Sequence, residues 1–299
     1  MLKTDLKSVL WSGAVLLLLL SIAVPLLNAL SLVVMMVPMV ILYVSLSKRD
    51  FIIHMIVVYG IATVLLGPSA IIVGLFFLAP SVVMGHLYKK MAPARKVLTA
   101  TILVLLGQLL LELVLFDLLL NFKLIPEVRL FISETFEYMN KILLTPMSAE
   151  LVNAYVQWIV HSIPRMLITI SFLLAVVAHA IARPLLRRSG AAVPGLQPAR
   201  EWMLPRIVVF YYLIVLIADM VTPNHGDSFM TVALLNLVPL LQLVFSIQAV
   251  GFFFYLAHER GWHHVVPIML SVLIFIFPPL SLIGVLDAGF PIRKAFKKP

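Results

Sequence analysis

Apolar residues in this chain come in long runs, not in the strict alternation of a half-buried strand or the one-sided stripe of a soluble helix. A helix needs about 20 apolar residues to cross a bilayer, with roughly 17 to 25 tolerated. Runs of that order cover 8–24, 26–46, 51–66, 69–88, 97–121, 156–182, 205–221, 229–257 and 265–286. The pattern predicts an all-α, polytopic integral membrane protein with eight or nine transmembrane helices. Pro25 joins the first two runs and Gly67-Pro68 joins the third and fourth. These are tight turns at the membrane surface or helix breaks within it. Pro278-Pro279 bisects the last run, which then either crosses or enters and returns; the long eighth run could instead hide two short segments.

Two stretches depart from the pattern. Residues 127–144 carry Val128, Phe131, Ile132, Phe136, Met139 and Leu143 at helical spacing, which predicts one extracytoplasmic amphipathic helix lying on the outer surface or capping a cavity mouth. Residues 189–204 are rich in Gly and Pro and form an internal linker. The expected layout is a six-helix membrane bundle over 1–188, a cytoplasmic linker over 189–204, and membrane helices with a basic tail over 205–299.

Composition sharpens the class. The chain is 63% hydrophobic and 12% charged, against about 25% charged in ordinary soluble domains, which excludes a soluble enzyme and a disordered chain. Its net charge of +9 would suggest nucleic acid in a soluble protein. Here most basic residues sit in short tracts between apolar runs, so they read as topology markers, with the lipid bilayer and no nucleic acid as partner. Lys48 and Arg49, then Lys89, Lys90, Arg95 and Lys96, then Arg183, Arg187, Arg188 and Arg200 follow even-numbered runs. With Lys3 and Lys7 they place the N-terminus and these loops in the cytoplasm. Nine crossings would put Arg293, Lys294, Lys297 and Lys298 outside, against the same rule. The first run is read as an uncleaved helix, since a second run follows Pro25 directly without a small-residue cleavage site. With zero cysteines, disulfides, thiolate metal sites and a cysteine nucleophile are excluded.

Ionisable groups within apolar runs are expensive and therefore informative. The fifth run holds Gln108, Glu112 and Asp117; Gln108 and Glu112 share a face, while Asp117 lies about 140° around from Glu112. In the sixth run His161, Arg165, Thr169 and His179 fall within about 40° of one line. At 1.5 Å per residue, Glu112, Arg165 and Asp117 lie roughly 22, 26 and 30 Å from the cytoplasmic ends of their helices. This level reads as the floor of an outward-facing polar pocket, with Arg165, Glu112, Asp117, Gln108, His161 and Thr169 as solute-binding candidates. It also reads as a structural clamp, or as Arg165 snorkelling to the outer interface.

Other polar groups carry less. Asn236, Gln242 and Gln248 share no face and read as separate interhelical hydrogen bonds. Asp219, His225 and Asp227 fall short of a spaced metal-ligand set. His258 through His264 lacks the second histidine four residues after the first that a zinc protease needs, position 262 being Trp. It reads as a cytoplasmic interface loop with Trp262 at headgroup level. With no catalytic constellation, Walker loop or cofactor motif, neither enzyme activity nor cofactor is expected, and energised transport needs a partner protein or an ion gradient.

Several motifs resemble the YybS family of bacterial polytopic membrane proteins. They are Glu201-Trp202-x-Leu204-Pro205-Arg206, then Tyr211-Tyr212-Leu213-Ile214, Asn236, Gln248-Ala249-Val250, and Gly284-Val285-Leu286-Asp287-Ala288-Gly289-Phe290 followed by Ile292-Arg293-Lys294. The resemblance implies a bacterial cytoplasmic (inner) membrane location. The first half is distantly similar to the substrate-binding S components of energy-coupling-factor vitamin transporters, which implies six helices and a pocket open to the outside. Their small-residue docking signature is matched in the first run only by the spacing of Ser8 and Ser12. Two functions are expected: a small-solute binding or uptake component, or a non-transporting scaffold or regulatory protein whose basic loops recruit cytoplasmic partners.

Overall fold

The computed structural model describes residues 6–120, 123–142, 147–222 and 228–296, with Phe116, Leu119 and Leu120 described by backbone only. Lys3, Leu143, His225, Asp227, Lys297 and Lys298 lie outside the described residues. Among the described residues all regular structure is helical. In chain order the α-helices are α1 Leu6–Ser21, α2 Leu27–Val34, α3 Met36–Ser45, α4 Lys48–Leu66, α5 Ser69–Lys89, α6 Ala94–Leu120, α7 Leu124–Ile142, α8 Ala149–His161 and α9 Ile163–Arg188. After the linker come α10 Ile207–Val221, α11 Phe229–Arg260, α12 Val265–Ile276, α13 Ser281–Gly289 and α14 Ile292–Phe296. Six stretches are long and apolar enough to cross a membrane: Leu27–Ser45, Lys48–Leu66, Ser69–Lys89, Ala94–Leu115, Ile163–Arg188 and Phe229–Arg260. The apolar helices α1, α10 and α12 are shorter.

The helix boundaries follow from prolines and glycines. Pro38 has no N–H and its ring clashes with the carbonyl four residues back, at Val34, so α2 stops there and α3 resumes after Met35. Gly67 ends α4 at φ 81, a left-handed conformation that side chains resist, and Pro68 then opens α5. The sixth apolar run is not one helix. Pro164 excludes a bond to Val160, and the chain turns at Ser162 between α8 and α9. His161 therefore ends a different helix from Arg165, Thr169 and His179, which corrects the single polar stripe expected of that run.

The chain forms two compact units, Met1–Leu124 with Leu167–Leu196, and Ile125–Met166 with Gln197–Pro299. In the first, α3 is central. Every residue from Met36 to Tyr43 is buried, the mark of a helix covered on all sides. Small residues let α5 approach closely: a Cβ on Gly85 would meet the Tyr43 ring at 2.7 Å, and one on Gly74 the Tyr59 ring at 2.7 Å. Ser8 and Ser12 are buried against this core, with Ser12 Oγ 2.7 Å from His54 Nδ1 on α4.

In the second unit α11 is the longest element, 32 residues or about 48 Å. It continues through His258-Glu259-Arg260 and closes on Gly261 at φ 69, so these three residues belong to a helix end, not to the expected loop. The last apolar run then turns back on it. Gly284 of α13 presses on the backbone of Phe245 and Ala249, Asp287 meets Gln248 further along, and the carbonyl of Arg293 meets Tyr255. These matched steps make α13 parallel to α11, so α12 must run the opposite way, with the turn at Phe277 to Leu280. At 12 and 9 residues, α12 and α13 reach about 18 and 14 Å, well short of a ~30 Å bilayer core. The run starts and finishes at the same end of α11. The helix α7 exists as expected, with none of its described residues buried; it packs on α8 through the stacked rings of Phe136 and Tyr155, 5.9 Å apart.

Candidate functional site

The residues singled out by depth fall in both units. In the first unit Gln108 lies on α6 facing α5, its Nε2 3.4 Å from the Leu75 carbonyl, and its Oε1 is buried without a hydrogen-bond partner. One turn on, Glu112 is half-buried, while Asp117, also expected at the pocket, is exposed. Thr169 is half-buried on α9. His179, nearly three turns further along α9, is buried with its Nδ1 2.6 Å from the Tyr88 hydroxyl, which ties α9 to α5.

In the second unit His161 and Arg165 flank the break at Ser162. Asn236 of α11 bridges that break: its Oδ1 accepts from the Arg165 N–H at 2.9 Å and its Nδ2 donates to the His161 carbonyl at 2.8 Å. The interruption costs backbone hydrogen bonds, and one amide side chain returns one donor and one acceptor. The Arg165 guanidinium lies 5.7 Å from the Trp158 ring centre, a cation–π contact. Asn236 thus serves as the interhelical link expected of it. What it binds was hidden, because a helix break is not visible in a run of apolar residues.

The densest polar constellation of the described residues was not among the candidates. It gathers at the C-terminal end of α11. Asp287 is fully buried and Arg293 partly so, its side chain 14% exposed, and they are joined through Nη2–Oδ2 at 2.6 Å and Nε–Oδ1 at 2.9 Å. Such a forked pair holds geometry as well as charge. The remaining capacity is spent on the linker: Arg293 Nη1 donates to the Arg200 carbonyl at 2.7 Å and Nη2 to the Trp202 carbonyl at 2.8 Å. Gln248 completes the set, donating to Asp287 at 2.5 Å and accepting from the Leu204 N–H at 2.9 Å. The Tyr255 ring covers the guanidinium, 5.0 Å from its centroid.

A buried ion pair is tolerated only when its other lone pairs and protons are satisfied, and here the linker satisfies them. The arrangement ties three distant parts of the chain into one clamp. Gly251 makes the approach possible, since a Cβ there would stand 3.0 Å from the Ala199 carbonyl oxygen. Arg293, which reads as a topology marker in the tail, is an internal structural cation. The motifs around Trp202, Gln248 and Asp287 through Arg293 carried the signal, for these are the residues of the family resemblance. Their spacing alone gave no hint that they meet.

Beside the clamp lies a cavity of about 290 Å³ lined by Arg200, Phe254, His258, Trp262, His264 and Pro267 among others. In the first unit Arg183, Pro184, Arg187 and Arg188 line a shallow cleft of about 330 Å³. Among the described residues no group of three or more His, Cys, Asp or Glu side chains is placed to hold a metal ion.

A family model described as "Predicted membrane protein (DUF2232)" matches residues 13–288. A relative from Bacillus subtilis (strain 168), "Uncharacterized protein YybS", is 30% identical over 138 residues, 45% of this chain and 44% of its own. The chain therefore spans less than half the length of that relative. No solved structure matches the chain.

Proposed function

The chain belongs to the DUF2232 family of predicted membrane proteins, and within that family we propose that it is a transport-related protein, a small-solute binding or uptake component of the bacterial cytoplasmic membrane. The observation that carries this reading is the hairpin of α12 and α13. Its tip, the 3-10 turn Pro278–Leu280 that interrupts the α-helical run, packs on the apolar α11 through Leu280. Interrupted helices at membrane depth are a recurring way to build solute sites.

The proposed topology has eight crossings, made by α1, α2–α3, α4, α5, α6, α9, α10 and α11, followed by a re-entrant hairpin. Both termini then face the cytoplasm, α7 lies on the outer surface, and the basic tail obeys the charge rule that nine crossings would break. The solute contacts proposed are taken within each unit from the residues the sequence sets near one depth: Gln108, Glu112, Asp117 and Thr169 in the first, and His161 and Arg165 in the second. The six-helix likeness to S components belongs to this reading, with an energising partner protein. Docking through Ser8 and Ser12 does not, because both are turned inward.

A thermal-shift screen of the purified protein against vitamins, nucleobases and lipids tests the proposal. A stabilising solute whose effect is lost in Arg165→Ala, while that variant still inserts, is the expected outcome. An unchanged shift in Arg165→Ala removes the site assignment. A second reading, a scaffold that recruits acidic cytoplasmic partners, is favoured by Arg183, Arg187 and Arg188 opening on one cleft. A stable partner in pull-down, with no solute shift in the screen, would favour it.

A further inference from the structure

We propose that the cavity between the linker turn and the C-terminal end of α11 binds a phosphate-bearing anion, with Arg200 and His258 as its principal ligands. Three features of the second unit support this. First, the Arg200 guanidinium and two imidazoles, those of His258 and His264, meet at one cavity. Arg200 Nη1 lies 3.0 Å from His258 Nδ1, so the guanidinium donates to an imidazole, and His264 lines the same cavity. Glu201 reaches Arg200 only at 4.0 Å, with both side chains about half exposed, a pairing that water weakens. A guanidinium set beside an imidazole retains donors for a third group, and phosphate oxygens match its planar fork.

Second, Arg200 is not on slack chain. Its carbonyl is held by Arg293, the neighbouring Trp202 carbonyl by Arg293 and Gln248, and the turn Ala199–Glu201 rests on α11 at Gly251. The clamp uses the backbone of this segment and leaves the Arg200 side chain to the cavity. Ordering is thus in place before a ligand arrives, which reduces the cost of binding. Third, the cavity has two chemistries. Phe254, Ala257 and Pro267 give it an apolar wall, Arg200, His258 and His264 its polar groups, and Trp262, a residue typical of the headgroup level, lines it as well. That lining suits the phosphate of a lipid headgroup with its chain against the wall, and a free phosphate would meet the same polar groups.

The test separates the two sources. The full-length protein in neutral detergent is titrated with phosphatidic acid, with phosphatidylcholine and with inorganic phosphate, and binding is read by native mass spectrometry and thermal shift. Arg200→Gln should weaken binding roughly tenfold or more, the size expected for loss of a charge-assisted hydrogen bond. Lys96→Gln, an exposed position on α6 outside the cavity, should leave it unchanged. Loss of phosphatidic acid binding in Arg200→Gln identifies a lipid headgroup as ligand, and loss of phosphate binding identifies a free anion. Should Arg200→Gln fail to fold, His258→Gln replaces it with the same expectation. Binding that is equal in wild type and variant overturns the proposal, as does a wild type that binds neither phosphatidic acid nor phosphate.

Discussion

The two units are held together by different physics. In the first, helices approach through small residues and apolar side chains, and among the described residues the interhelical polar contacts include small neutral ones: Ser12 with His54, Tyr59 with the Gly74 carbonyl, Tyr88 with His179. In the second, one buried ion pair with its satellites fastens the linker, α11 and the last helices. Inside a membrane the hydrophobic effect does not distinguish helix from lipid, so packing and interhelical hydrogen bonds must supply the preference. Distributed small contacts tolerate the loss of any one member. A single charged knot does not, because removing one partner strands the other.

The largest expected effect is therefore Asp287→Ala, which leaves Arg293 buried without a carboxylate and should cost about 3–5 kcal/mol. A pronounced fall in thermal midpoint in detergent would show it. Replacing both partners, as Asp287→Leu with Arg293→Met, should recover much of that loss, since no charge is then stranded. If the double variant is as unstable as the single one, the pair contributes its hydrogen bonds to the linker more than its mutual charge. At the small end stands Tyr59→Phe in the first unit. It deletes one interhelical hydrogen bond and should cost about 0.6 kcal/mol, with about 1.7 as the upper end for such bonds. Equal losses in Asp287→Ala and Tyr59→Phe would erase the distinction between the units.

Much of the architecture was legible in the apolar runs, because the length of such a run is itself the constraint a bilayer imposes. All nine runs form helices, and the turns at Pro25 and Gly67-Pro68 fall where those residues stand. The break at Ser162 was signalled by Pro164, yet hydropathy does not respond to a missing N–H, so the run looked continuous. Pro278-Pro279 left two paths open for the last run, and its contacts with α11 favour the one that turns back. The clamp was least legible. Gln248 and Asp287 are 39 residues apart, and Trp202 is 91 from Arg293. No periodicity connects such distances, and a basic tail residue has the same appearance whether it marks topology or fills a buried socket.

The return of the last run to the cytoplasmic side is the claim on which the proposed topology depends. The chain has no cysteine, so single cysteines can be introduced without background. Lys294→Cys, with Ser189→Cys in the linker and Glu134→Cys on α7 as references, is exposed to a membrane-impermeant maleimide in intact and permeabilised cells. Lys294→Cys should behave like Ser189→Cys, labelled only after permeabilisation, with Glu134→Cys labelled in intact cells. Labelling of Lys294→Cys in intact cells would mean that the final run crosses the membrane, and would contradict the hairpin's return.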